Sequence, residues 1–339
     1  MLKILTYNEI DLHQWQALVN QSSTATWFQT PEAYEFYKSV LHEIIPFVYA
    51  LQCDGHLKAL LCGYVTKEQC PLKQFFTRRA IVVGGILVAD NTTDKQLQSL
   101  LLEVKERLHS KAIYLEFRNL HDCSRWHQAF KQAGFTYQPH LNIHVTCNVT
   151  HSMSDQRIRQ VKKAIKNGVE IAEAQSEQEI HDWYQILRQL YRTKVRTPLW
   201  SEEFFMQFYR NGVGKYLLVK FNGKVIGGMM CPVFNNKAIY EWYVCGLDEE
   251  YRELYPSVMV TYAAIEYAKK YKIEMFDFMG AGKPDIPYGV RDFKMEFGGE
   301  QVEHGRYLYI CKPLLYKIGE IVVKVLKIHN RFGILKKIS

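Results

Sequence analysis

Two carboxylates stand where a proton acceptor could be built. Glu241 interrupts an apolar run in Tyr240-Glu241-Trp242, and Asp277 closes another in Met275-Phe276-Asp277. Burial would raise the pKa of either towards the range a general base needs. Left in water, each would only cap or solvate a strand end. Lys294 follows Phe293, with Gly289 a short way upstream. Read alone it is a surface lysine on the last turn of a helix; beside a reacting carbonyl it would stabilise an oxyanion. Gly280-Ala-Gly-Lys283-Pro284-Asp285 invites a phosphate-loop reading. That reading fails, because the G-x-x-x-x-G-K-[ST] spacing is absent and a proline follows the lysine. Segment 279–290 more simply borders a crevice at the carboxyl end of a strand. The 12 histidines show no ligand spacing, so no metal is expected. The 8 cysteines lie scattered without a C-x-x-C pair and read as free thiols of a reducing compartment.

These residues need elements to position them, and the elements come twice. Phe47–Leu51 and Leu57–Val65 are β-prone runs flanking Asp54-Gly55, the turn chemistry of a two-residue hairpin. Ala80–Val88 predicts a strand, Thr93–Ser110 a helix with Leu97, Leu100, Leu101, Val104 and Leu108 inward, and Ala112–Phe117 another strand. The second half repeats the order. Tyr216–Phe221 and Lys224–Cys231 flank Asn222-Gly223, followed by a strand at Ala238–Val244, a helix at Pro256–Tyr271 and a strand at Ile273–Phe278. A Phe-Lys pair then follows in each half, Phe130-Lys131 and Phe293-Lys294. Hairpins combined with one strand–helix–strand crossover imply an α+β fold with mixed sheets in two tandem domains.

Between the copies, His151–Gly168 is polar and basic. Ile158, Val161 and Ile165 would form its inward stripe, leaving Arg157, Arg159, Lys162, Lys163 and Lys166 on an exposed face. The expected division is 1–150, 151–311 and a basic amphipathic helix at 312–339. The net charge of +8 is unevenly spread, with 14 basic against 13 acidic residues in 1–150, 22 against 21 in 151–311, and 7 against 1 in the tail. A near-neutral body makes any polyanion site depend on local clusters, not on a general field. The tail reads as a membrane-surface element if its apolar face is free, and as an ordinary C-terminal helix if that face packs.

The duplicated order resembles two tandem acetyltransferase (GNAT) domains, and the motifs resemble the FemA/FemB/FemX aminoacyltransferases, which build peptidoglycan bridges from aminoacyl-tRNA. Phe28-Gln29-Thr30-Pro31 with Tyr34 and Lys38 is similar to the family's opening block. RIRQVKKAIKNGVEI (157–171) is similar to its basic helix, and DFMG (277–280) with GVRDFKMEFGGE (289–300) to its most specific block. The resemblance implies Lys294 near the reacting ester, with Gly289 and Phe293 in the substrate site. It further implies Lys38, beside Tyr34, and Arg196 as phosphate clamps for a nucleotide- or lipid-linked wall precursor, and the basic helix as a tRNA contact. It places Glu241 on the fourth strand, where GNAT enzymes often keep a carboxylate. Glu116-Phe117-Arg118-Asn119 departs from the pattern, having no aspartate after the first crossover strand, and no coiled-coil arm is present.

The expected reaction is amide formation on an amine of a cell-envelope precursor, with aminoacyl-tRNA as co-substrate and no bound cofactor. A rival within enzymes is an acyl-CoA-dependent N-acyltransferase acting on an amino sugar or small amine. It needs a glycine-rich turn to cradle pyrophosphate at a helix start, and Glu250-Tyr-Arg252-Glu-Leu-Tyr-Pro256-Ser257 lacks those glycines. A second rival is a non-catalytic nucleic-acid or membrane-surface protein. The start of the chain has no secretory apolar segment, and the longest uncharged apolar run, Ala80–Ala89, is about half a membrane span. The expected location is the cytoplasm, with 312–339 as a candidate contact with the inner membrane surface.

Overall fold

The computed structural model describes residues 2–68, 71–147 and 153–321, with backbone alone at 71–73. The chain forms two units. One takes residues up to Asn119, Cys123–Gln138 and the segment from Arg306 onward; the other takes Leu120–Asp122 and Pro139–Gly305. Each holds an 8-stranded mixed sheet.

In the first unit, Asp54 (φ 49°) and Gly55 (φ 84°) turn the chain between strands Ile44–Cys53 and His56–Thr66. Positive φ at both positions is the mirror-image turn that matches strand twist. Helix Asp94–His109 starts at a Thr93/Gln96 capping box and buries the five predicted apolar residues. It links Ala80–Gly84 to Tyr114–Asn119, which pair in parallel. The second unit repeats the plan. Asn222 (φ 49°) and Gly223 (φ 75°) join Gly214–Phe221 to Lys224–Phe234, and Ala238–Tyr240 lies parallel to Met275–Asp277 across helix Pro256–Lys270. A core of aliphatic and aromatic side chains, among them Met229, Ile239, Met259, Phe276 and Phe297, fills the space between that helix and its sheet.

Several expectations need correction. The boundary expected near residue 150 falls at Pro139, because Leu141–Thr146 pairs with Met275–Asp277 and Glu300–Glu303 in the second sheet. Conversely Arg306–Ile310, expected in the second domain, pairs with Tyr114–Asn119 and Thr136–Gln138 in the first. The expected strand Ala238–Val244 breaks at Glu241-Trp242 and resumes at Tyr243–Gly246; Ala80–Val88 breaks after Gly84 and resumes at Leu87–Val88. The linker forms helix Asp155–Lys166, but its buried stripe is Arg157, Val161 and Ala164, and Ile165 is 50% exposed. The two Phe-Lys pairs are not equivalent: Lys131 is exposed, whereas Lys294 is buried. No helix among the described residues is long and apolar enough to cross a membrane. The tail is helical at 313–321, and the rest of that expected helix lies outside the described residues.

Candidate active site

The break at Glu241 sets the site. Tyr240 still pairs with Asp277, and the Glu241 N–H donates to the Asp277 carbonyl at 2.9 Å, but the strand then shifts so that Trp242 donates to Met230 O at 3.1 Å. The Glu241 side chain lies in the wall of a cavity of about 560 Å³ within the second unit. Lys294, Phe293 and Gly289 from the helix Gly289–Met295 line the same cavity, as does Arg157 from the linker helix.

Lys294 is only 8% exposed, and its Nζ lies 2.8 Å from Glu241 Oε1. It also donates to the carbonyls of Phe278 and Gly280, each at 2.9 Å. An ammonium has three N–H groups, so all three are committed. Burial pushes the Glu241 carboxyl above its ordinary value, Lys294 pulls it back, and Asp277 adds to the rise. The result is a water-poor carboxylate–ammonium pair facing a cavity, with the carboxyl tuned towards accepting a proton.

Asp277 has a different place. It is fully buried and does not line the cavity. Its Oδ1 accepts from Asn142 Nδ2 at 2.7 Å and from the Met279 N–H at 2.6 Å, while Oδ2 lies 3.3 Å from His144 Nε2. Met279 is left-handed (φ 55°), so the carboxylate fixes the turn that presents the Phe278 and Gly280 carbonyls to Lys294.

The start of helix Pro256–Lys270 also faces the cavity, and it is already occupied. Asp248 Oδ1 accepts from the Ser257 N–H at 3.0 Å, and Oδ2 takes the Ser257 hydroxyl. A carboxylate therefore sits where a helix start would otherwise attract phosphate. Lys194, Arg252 and Asp248 line the cavity, and the sequence reading passed over all three. The one available signal was Asp248 preceding a glycine-poor helix start.

Of the remaining expected residues, only Arg157 lines the cavity. Arg157 is a correction: it does not lie on the exposed basic face but is 8% exposed, over the Phe293 ring at 4.5 Å and 3.2 Å from Glu296. Arg159, Lys162, Lys163 and Lys166 are exposed, and Lys163 pairs with Glu253. Arg196 is exposed and left-handed (φ 56°), its Nε donating to Thr193 O at 3.1 Å; Lys194, not Arg196, reaches the cavity. Lys38 lies in the first unit, paired with Glu35 at 3.0 Å and over the Tyr7 ring at 4.7 Å. Tyr34 is buried there, stacked on Tyr7 with centroids 4.6 Å apart.

Residues 154–295 match the acetyltransferase (GNAT) domain family. No curated protein sequence matches the chain. Among solved structures, FemX superposes with a TM-score of 0.68 at 15% identity, covering 93% of this chain and 99% of that one. The C-terminal domain of a putative lysylphosphatidylglycerol synthetase from Agrobacterium fabrum gives 0.57 at 11% identity, covering 93% and 95%. A tandem GNAT protein from the clavulanic acid biosynthesis pathway also gives 0.57 at 11%, covering 92% and 99%. The chain therefore has the tandem GNAT acyltransferase fold, and the match to the acetyltransferase (GNAT) domain family falls within its second unit.

Proposed function

We propose that the protein moves an aminoacyl group from aminoacyl-tRNA onto an amine of a cell-envelope precursor, forming an amide. The observation that carries this reading is the buried Lys294–Glu241 pair in the wall of a cavity whose adjoining helix start is filled by Asp248. An acyl-CoA donor would bring its pyrophosphate against that carboxylate, whereas an aminoacyl ester needs no such cradle. The structural likeness to FemX and to a lysylphosphatidylglycerol synthetase domain supports an envelope substrate.

In the reaction a neutral amine attacks the ester carbonyl, and the tetrahedral oxyanion collapses with loss of the terminal ribose hydroxyl. The proton leaving the amine must reach that departing oxygen. Glu241, held protonatable by burial, is the acceptor within the site, and Lys294 supplies a fixed positive charge to the oxyanion. When Glu241 takes the proton, its hold on Lys294 weakens, and one N–H becomes free for the oxyanion. Lys38, exchanging Glu35 for a phosphate, and Arg196 remain the proposed precursor clamps, and Arg159, Lys162 and Lys166 the proposed tRNA contacts.

The test is incubation of purified protein with labelled aminoacyl-tRNA or acetyl-CoA and candidate wall precursors, with and without ribonuclease. Ribonuclease-sensitive amide formation is expected. Transfer from acetyl-CoA that survives ribonuclease would establish the CoA reading instead, and transfer from neither donor would favour a binding role.

A further inference from the structure

Helix Gly289–Met295 carries a second cation that the transfer reading leaves unused. Arg291 precedes Lys294 at the spacing that places two side chains on one helix face. Among the described residues its partners are main-chain carbonyls: Nε donates to Ala281 O at 2.9 Å, Nη1 to Pro284 O at 3.4 Å, and Nη2 to Lys283 O and to Ile286 O at 2.9 Å. A planar guanidinium with five donors can gather such a set, and an ammonium with three cannot. The loop is folded tightly to reach it. Gly282 is left-handed (φ 81°), and a Cβ there would lie 3.0 Å from the Tyr288 ring and 3.6 Å from Arg291 Nη2. Immediately upstream, Phe278 and Gly280 give their carbonyls to Lys294. Segment 278–286 is thus one arc closed by two cations of one short helix.

We propose that Arg291 is a positioning residue for Lys294: by fixing 281–286 it sets the Phe278 and Gly280 carbonyls, and so holds the Lys294 ammonium against Glu241 at the cavity wall. The proposal rests on Lys294 being the cation of the transfer site. Arg291 itself is not among the cavity's lining residues. Its effect passes through the loop.

Two measurements on the full chain test it. The first is acylation of Lys294 by a water-soluble N-hydroxysuccinimide ester, followed by mass spectrometry, with iodoacetamide alkylation of the buried core thiol Cys231, which does not line the cavity, as a folding control. Arg291→Gln is expected to raise the labelling rate of Lys294 about tenfold or more while Cys231 stays unreactive. The second is transfer kinetics, where Arg291→Gln should lower kcat by about tenfold, leave the donor KM within about threefold, and displace the pH–rate profile. Arg291→Lys keeps the charge without the fork and should fall between wild type and Arg291→Gln in both assays. Unchanged Lys294 labelling in Arg291→Gln would overturn the proposal whatever the activity. Should Arg291→Gln expose Cys231, Arg291→Lys decides the matter, and wild-type labelling and turnover in that variant would overturn the need for the guanidinium. A wild-type protein that transfers nothing refutes the aminoacyl reading and leaves the labelling arm intact.

Discussion

Replacing Lys294 with methionine separates its structural pairing from the role proposed for it in transfer. Lys294 and Glu241 are each 8% exposed, so the change strands a carboxyl group away from water and frees the carbonyls of Phe278 and Gly280. Breaking one side of a buried ion pair destabilises by about 3–5 kcal/mol. For a unit of this size that corresponds to a fall of roughly 6–20 °C in Tm. The loss should depend on pH. The folded pKa of Glu241 lies above its unfolded value, so its contribution to stability is complete below the ordinary 4.5 and is lost as pH rises through the raised value. Without Lys294 that value rises further, so the deficit of the variant grows as pH climbs from about 4.5 towards neutrality. Urea unfolding followed by tryptophan fluorescence at several pH values reads this directly. Adding Glu241→Gln should restore at least half of the lost stability at neutral pH without restoring activity. Turnover per folded molecule should fall by about 10²–10³ in Lys294→Met, the scale of losing one oxyanion stabiliser. Stability within about 1 kcal/mol of wild type would contradict the buried pair. Normal turnover per folded molecule would reduce Lys294 to a structural residue.

Three further outcomes are expected. Glu116 is gripped by Arg118 at 2.7 Å and Arg306 at 3.1 Å, which overcome the upward push of burial and hold its pKa at about 2. That contributes about 3 kcal/mol to the first unit, present above pH 4.5 and lost as pH falls towards 2, so Glu116→Gln should lower Tm at neutral pH and match wild type near pH 2. Asp248→Ala should destabilise by about 1 kcal/mol through the lost cap and tighten binding of inorganic pyrophosphate by calorimetry; equal binding in wild type would show that the carboxylate does not guard the helix start. Charge reversal at Lys162 and Lys166 should flatten the salt dependence of tRNA affinity by about 0.7–0.9 in log–log slope per lost phosphate contact, and an unchanged slope would place the RNA elsewhere.

What could be read in the sequence follows the range of the interactions. Asp54-Gly55 and Asn222-Gly223 announced their hairpins because positive φ is a local demand that few residues meet. Helix Asp94–His109 was legible from its apolar spacing. Leu141–Thr146 and Arg306–Ile310 were not, since an apolar strand carries no mark of which sheet will take it. Their partners lie more than a hundred residues away along the chain. Arg157 misled for a related reason. An arginine on an apolar helix face reads as solvated until Phe293 and Glu296 are brought against it. Arg291 stood inside the quoted GVRDFK block yet drew no attention, because its partners are carbonyls, which every residue has.

The two halves break their strands at corresponding places and furnish the break differently. In the first unit the carbonyls of Gly84 and Gly85 accept from Gln29 Nε2 at 3.0 and 3.2 Å, and Gln29 Oε1 accepts from the Thr26 N–H at 2.8 Å. Gln29 is fully buried, and a Cβ on Gly84 would lie 2.3 Å from Thr26 Oγ1. The chain's own side chains seal that opening. In the second unit the same interruption turns Glu241 into a cavity, and a distant helix brings Lys294 to meet it. Glycines, with no side chain to titrate, stand at the first break, whereas at the second burial holds Glu241 above its ordinary value. One fold repeated in one chain therefore offers a built-in comparison. The copy whose break is plugged offers no acid there, and the copy whose break is open presents Glu241. The proposed chemistry therefore draws on the second unit, where the cavity, Glu241 and Lys294 meet.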